Sequence, residues 1–199
     1  SFLAALDGLY DHDIQNIVCR QEGGAAMMAE AHGKLTGRPG VLFVTRGPGA
    51  TNAASGLHVA MQDSTPMVVF VGQVALRDRD RAAFQEVDYR RFFSPLVKWV
   101  AEVETTARLP EYIARAFHVA QSGRPGPVVL ALPEDVLSAE ADVPDLRPAQ
   151  VPGQPVDSST AHALLDRLLA HDRPMIVAGG PGWSMQAQAD LQALAEATG

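Results

Sequence analysis

An α/β fold, a parallel sheet flanked by helices, is predicted by three observations. Short continuous apolar runs recur along the chain, helix-like segments alternate with them, and Gly-rich turns stand where a run passes into a helix. The runs are NIVC (16–19), VLFVT (41–45), MVVFVG (67–72), VKWV (97–100), VVLAL (128–132) and MIVAGG (175–180). Runs without polar alternation suit strands covered on both faces, as in a parallel sheet. Helix-like spacing falls at about 22–36, 50–62, 107–122, 158–170 and 184–197.

Taken in order, SFLAALDGLY (1–10) has helical spacing with no strand or cap before it. NIVC follows as a short strand, then the Ala- and Gly-rich helix that starts at Glu22. VLFVT runs into Gly47-Pro48-Gly49, after which Thr51 and Asn52 open the next helix. MVVFVG is followed by QVALRDRDRAAFQEVDYRRFFSP (73–95), too long for a mere connection, and long loops in compact domains tend to be functional. From Leu132 to Pro155 the chain carries five prolines and no periodicity, which favours an extended connector. These features place a first domain at 1–136, a Pro-rich linker at 137–155 and the beginning of a second α/β domain at 156–199. Ser158, Ser159 and Thr160 are candidate caps for the first helix of that second domain. Both ends of the sequence lie inside helical patterns, which reads as part of a longer protein whose first-domain N-terminal strand is missing here.

The 199 residues are 47% hydrophobic and 20% charged, an ordinary globular composition with ample core. A net charge of -7 argues against nucleic acid as a partner, because phosphate backbones reward clustered Lys and Arg. The single Cys19 excludes an internal disulfide and fits a reducing, cytoplasmic setting. The six histidines show no metal-ligand spacing, so no metal residue is expected in this chain. No apolar run approaches the roughly 18 residues of a membrane span, and no membrane partner is expected.

Glu22 is the first candidate for chemistry. An acid at a helix start gains about 0.3–1 kcal/mol from the helix dipole, and the plain explanation stops there. Gly23 and Gly24 resist that explanation, since each costs a helix about 1 kcal/mol. A glycine pair is useful where something must come close to the backbone, and a carboxyl in an apolar seam is suited to exchanging a proton with a ligand. The Gly47–Asn52 turn is the second candidate, because a Gly-rich strand-to-helix turn admits a ligand to backbone N–H groups. It approaches the dinucleotide fingerprint of nicotinamide-dependent oxidoreductases, but lacks the last glycine, and MVVFVGQV ends in Gln73 where an acid would be needed. In the long loop, alternating Arg and Asp read as a solvated face or subunit contact, whereas Phe84 and Gln85 could cover a ligand. Arg124 in SGRPGP stands in a turn that its glycines explain and its guanidinium does not.

Together, RQEGGAAMMAEAHGKLTGRPGVLFVTRGPGATNAASGLHVAMQDSTPMVVFVGQV, AFQEVD, VKW, SGRPGP and LPEDV resemble, in order and spacing, the N-terminal pyrimidine-binding domain of thiamine-diphosphate enzymes. The acetolactate synthase (acetohydroxyacid synthase) large subunits are the most similar branch, over about residues 1–137, with 156–199 resembling the start of the family's middle domain. The resemblance implies a transferase or lyase that decarboxylates pyruvate and joins it to a second 2-keto acid, a step in branched-chain amino acid biosynthesis. It implies that Glu22 hydrogen-bonds N1′ of the cofactor's aminopyrimidine and thereby helps remove the proton from the thiazolium C2. Gly23 and Gly24 would then be clearance for that ring and for a partner subunit. Pro48, Asn52 and Gln85 become pyrimidine-side contacts, Ser64 and Gln73 their support, and Arg124 a conditional FAD residue. The family's Mg2+ and diphosphate ligands lie in a Gly-Asp-Gly motif of a C-terminal domain that this sequence does not contain, so residues 1–199 alone are expected to be inactive. An active site shared between subunits implies a homodimer or tetramer, with a regulatory subunit as a further partner.

The sequence departs from the acetolactate synthase pattern at several points. Arg46 replaces the serine before GPG, Glu134 the lysine of LPKDV, Gln21 the usual histidine, Ala75 a proline, and Arg81-Ala82-Ala83 a Gly-Thr-Asp. These leave the cofactor residues intact and bear on which 2-keto acid is used. Another decarboxylase, oxidase or lyase on the same fold is therefore the alternative activity, followed by a nicotinamide-dependent oxidoreductase or a non-catalytic homologue.

Overall fold

The computed structural model describes residues 2–144, 146–147, 150–153 and 155–198. The chain divides into two compact units, residues 1–151 and 152–199. The first unit is built on four parallel strands: β1 (Gly40–Val44), β2 (Met67–Gln73), β3 (Trp99–Glu102) and β4 (Pro127–Pro133), in the spatial order β1-β2-β4-β3. Parallel neighbours need crossover connections. These are α3 (Pro48–Gln62) between β1 and β2, the long loop with α4 (Tyr89–Phe93) between β2 and β3, and α5 (Leu109–Gln121) between β3 and β4. Before the sheet come α1 (Leu3–Tyr10) and α2 (Glu22–Thr36), and after it α6 (Glu134–Ser138).

The apolar runs explain the layering. Every residue of β2 and β4 is buried, as expected of central strands covered on both faces. One face packs Leu42, Val69 and Val129 against Ala26, Leu57, Tyr89 and Phe93 of α2, α3 and α4. The other packs Val68, Phe70, Val128 and Leu130 against Ala116 and Ala120 of α5. β1, at one edge, alternates buried and exposed residues.

Several sequence expectations need correcting. Residues 16–19 form no strand: Ile17 and Val18 are 64% and 94% exposed. An extended run becomes a strand only when a neighbour takes its hydrogen bonds, and none of the described strands pairs with it. VKWV begins pairing only at Trp99, because Val97 N–H still donates to Phe93 O in the turn that closes α4. α3 starts two residues earlier than Ala50, with Pro48 at the first helical position, where its fixed φ suits the helix and its missing N–H costs nothing.

The second unit contains α7 (Ser158–Leu169) and α8 (Met185–Thr198). The run at 175–180 is not a strand, and Met175 and Val177 are 82% and 87% exposed. No second strand is present among the described residues of this unit to pair with it. Of the Pro-rich segment, residues 145, 148, 149 and 154 lie outside the described residues.

The cap of α7 is Asp157, not the hydroxyl residues that follow; its carboxylate accepts from Thr160 N–H at 3.0 Å and from the Ser159 hydroxyl. The Ser159 hydroxyl, then the Thr160 N–H, hold the Asp157 carboxyl below its usual range. A depressed folded-state pKa means a contribution that is present above the ordinary carboxylate range and lost as pH falls through the lowered value. Acidification through that window is therefore expected to fray the first turn of α7, and Asp157→Ala to fray it at neutral pH. Amide exchange at Thr160 and Ala161 would report both.

Candidate functional site

Glu22 is the first residue of α2, and Gln21 is its cap, with extended backbone and a side-chain Oε1 that accepts from Gly24 N–H at 2.7 Å. With Gln21 doing the capping, the Glu22 carboxylate is left available for something else. α2 lies very close to α3. A Cβ on Gly56 would sit 2.5 Å from the Ala26 Cβ, and one on Gly23 would sit 3.2 Å from the Asn52 carbonyl oxygen. Within the chain, Gly23 thus provides clearance for α3 and for the Gln21 side chain, whose Oε1 an added Cβ would meet at 2.9 Å. Gly24 is exposed and meets only the Gln21 side chain, at 3.8 Å.

This close approach joins Glu22 to the Gly-rich turn. Asn52 Nδ2 donates to Glu22 Oε2 at 3.1 Å. The other carboxylate oxygen, Oε1, faces Gly49, whose added Cβ would stand 3.4 Å away. Glu22 is half-buried and Asn52 exposed. One oxygen is fixed by an amide donor while the other lies beside Gly49, whose added Cβ would also meet the Thr45 side chain at 2.8 Å.

The turn itself is unusual. Gly47 has φ 61° and ψ -117°, a region that only glycine adopts without strain. Its N–H donates to Tyr89 Oη at 2.8 Å. A Cβ at Gly47 would lie 2.7 Å from the Cβ of Gln85, so the loop after β2 packs directly on the turn. Burial pushes the Tyr89 phenol up, only partly opposed by the Gly47 N–H, so at neutral pH the ring carries a neutral hydroxyl.

The loop that carries Gln85 is tied down along its length. Gln73, buried at the end of β2, donates from Nε2 to Val87 O at 2.9 Å and accepts at Oε1 from Val74 N–H. Asp135 accepts from Leu76 N–H, Glu86 from the N–H groups of Asp80 and Ala83, and Arg79 pairs with the buried Glu102 at the end of β3. Asp80, Ala82 and Gln85 all have positive φ, a cost these ties hold in place. Phe84 points away from the protein and is 80% exposed.

The structure therefore brings Glu22, Pro48, Asn52 and Gln85 together at the carboxyl ends of the strands, where open parallel sheets bind ligands. Gln73 supports them through the loop. Ser64 and Arg124 meet each other elsewhere: Arg124 Nε donates to Ser64 Oγ at 2.6 Å, and Nη2 to the carbonyls of Met61 and Gln62. That cluster caps the far end of α3, about 15 Å from Asn52 at 1.5 Å per helical residue. Two further features escaped the sequence. Tyr89 lies in an aromatic stretch that reads simply as core. Arg46 and Glu134 were separately visible as departures, but their ion pair is visible only in three dimensions.

Residues 1–92 match the family description "Thiamine pyrophosphate enzyme, N-terminal TPP binding domain". Those residues belong to the thiamine pyrophosphate (thiamine diphosphate) enzyme family.

Acetolactate synthase large subunits are among the relatives of this chain. It is 37% identical over 185 residues to the acetolactate synthase large subunit of Lactococcus lactis subsp. lactis, covering 90% of the chain and 32% of that protein. It is 41% identical over 143 residues to the acetolactate synthase isozyme 2 large subunit of Escherichia coli, covering 72% of the chain and 26% of that protein. With the acetolactate synthase of Bacillus subtilis it shares 34% over 180 residues, 90% of the chain and 32% of the relative. The chain thus spans about a quarter to a third of the length of these relatives. The site fits the cofactor's aminopyrimidine end: a carboxylate at Glu22, an Asn52 amide that orients it, and a Gly47–Gly49 turn packed on Gln85 and Thr45 beside them.

Proposed function

We propose that this chain is the proton-relay part of an acetolactate-synthase-like thiamine-diphosphate enzyme acting on 2-keto acids. One observation carries the reading: the Glu22 carboxylate is oriented by Asn52 on one oxygen and presents the other beside the glycine-lined turn. When bound, the cofactor supplies the electron sink for decarboxylating a 2-keto acid and joining the remainder to a second carbonyl. Glu22 holds and releases a proton at Oε1 toward the aminopyrimidine ring. Asn52 keeps the carboxylate from rotating away, while Pro48 and Gln85 would help hold the ring and limit water. Binding and orientation are the protein's share of the catalysis.

Mg2+ and FAD stand differently. No group of three or more His, Cys, Asp or Glu among the described residues could hold a metal ion, so Mg2+ would be bound outside them. Arg124 already uses Nε and Nη2 on Ser64 and the end of α3, so it offers a flavin only its Nη1. The remaining partners in this reading are a second copy of the chain completing the site and a regulatory subunit.

A second reading, a decarboxylase, oxidase or lyase for another 2-keto acid, is favoured by Arg46 and Glu134. Two positions that differ from the acetolactate synthase pattern pair with each other across the end of β2. They change together the charge pattern along the rim of the site.

The test is to supply the full-length protein with Mg2+, thiamine diphosphate and pyruvate and to assay acetolactate. Its formation supports the first reading. Consumption of a different 2-keto acid without acetolactate supports the second, and no cofactor-dependent turnover of any 2-keto acid would remove both.

A further inference from the structure

We propose that Tyr89 is a positioning residue for the cofactor: through its hydroxyl it locks the Gly47 turn to the Gln85 loop, and so sets the spacing between the two walls of the cleft. The inference rests on the thiamine-diphosphate reading of Pro48, Asn52 and Gln85, and concerns a residue that touches none of the cofactor itself.

Gly47 has no side chain by which to be anchored, and a glycine's wide conformational freedom is narrowed to one backbone geometry only by its neighbours. Two contacts narrow it. Gln85 packs against the Cα, so closely that an added Cβ would meet it at 2.7 Å, and Tyr89 Oη accepts from the buried N–H at 2.8 Å. Both anchors belong to the same 73–95 loop. The turn that leads to Pro48 and Asn52 and the loop that presents Gln85 therefore move as one unit.

The ring alone does not explain the tyrosine. Tyr89 is 1% exposed and stacks on Phe93 at 5.9 Å between ring centroids, within the core formed by α2, α3 and α4. A phenylalanine would fill that volume. A buried hydroxyl is costly unless it is hydrogen-bonded, and the bond it makes runs to the turn. Gln73 reinforces the arrangement by holding Val87, two residues before Tyr89. The loop is thus pinned just before α4 by Gln73 and at its first residue by Gly47.

The experiment compares full-length wild-type protein with Tyr89→Phe and, as a core lesion that keeps the hydroxyl, Phe93→Leu. Thiamine diphosphate binding in the presence of Mg2+ is measured by calorimetry, thermal stability by unfolding, and KM for the 2-keto acid by steady-state kinetics. Tyr89→Phe is expected to weaken cofactor binding about tenfold, the equivalent of roughly 1.4 kcal/mol, with KM for the keto acid within about twofold of wild type. Phe93→Leu is expected to lose at least as much stability and much less cofactor affinity. Affinity within twofold of wild type in Tyr89→Phe overturns the proposal, and so does an equal loss in Phe93→Leu, since packing would then be the cause. Failure of Tyr89→Phe to fold also counts against it, because the hydroxyl would then serve the fold. If wild type binds no thiamine diphosphate, the reading of the cofactor contacts fails and takes this inference with it; wild-type binding with an unaffected Tyr89→Phe removes the inference alone.

Discussion

Full-length protein carrying Glu22→Gln is expected to keep its fold and bind thiamine diphosphate, yet turn over its 2-keto acid at least about a hundredfold more slowly. Glutamine has the same length and number of heavy atoms, so the close contact of α2 with α3 survives. The amide oxygen can still accept from Asn52, which preserves the side chain's direction. What it cannot do is hold and release a proton at the position beside Gly49. Positioned proton transfer contributes about 10²–10⁴-fold in enzymes, and the loss should fall on kcat more than on cofactor affinity. Steady-state kinetics with calorimetry on the same preparation would check both halves. Turnover within tenfold of wild type would show that the acid here only faces the dipole at the start of α2.

How much of this was legible in the sequence depends on the range of the interaction involved. The two central strands were readable because burial on both faces leaves an unbroken apolar run, and MVVFVG and VVLAL mark them directly. The Gly-rich turn and Glu22 were readable as motifs, because the requirement for glycine is local. Two strand expectations failed at residues 16–19 and 175–180, where apolar character is present but no neighbouring strand supplies the hydrogen bonds. Composition reports a tendency to be buried; it does not report whether a partner exists. Tyr89 could not be picked out, because its hydroxyl reaches a backbone N–H 42 residues earlier and the rest of the side chain looks like core. The pairing of Ser64 with Arg124 was hidden for the same reason: 60 residues separate them. At Gly23 the sequence shows that space is needed, and only the packing shows α3 and the Gln21 side chain beside it.

The largest effect on stability is expected at a glycine with no place in the cofactor cleft. Gly40 opens β1, and a Cβ added there would lie 1.9 Å from the carbonyl oxygen of Ala29 and 2.6 Å from its carbon. Both are backbone atoms of α2, so no side chain can rotate away. Either β1 leaves its register with β2, where Gly40 pairs with Met67, or α2 is pushed off the sheet. Interiors packed this tightly transmit such a shift without absorbing it. Gly33 closes the alternative path, since its own added Cβ would be 2.5 Å from Pro66 O, which places α2 against the sheet at a second point. Gly40→Ala is therefore expected to cost at least about 3 kcal/mol, at the upper end of overpacking lesions. Gly37→Ala is the informative contrast. Gly37 ends α2 with φ 68°, and nothing stands within 4 Å of its added Cβ. That variant carries only a backbone penalty of about 1–2 kcal/mol. Chemical unfolding of the two variants separates lack of space from lack of conformational freedom. α2 is also the element that carries Glu22 at its other end, so Gly40→Ala should lower thiamine diphosphate affinity even under conditions where the protein remains folded. A Gly40→Ala protein as stable as Gly37→Ala would mean that α2 can slide on the sheet, and a sliding α2 could not keep the Glu22 carboxylate at a fixed place beside Asn52.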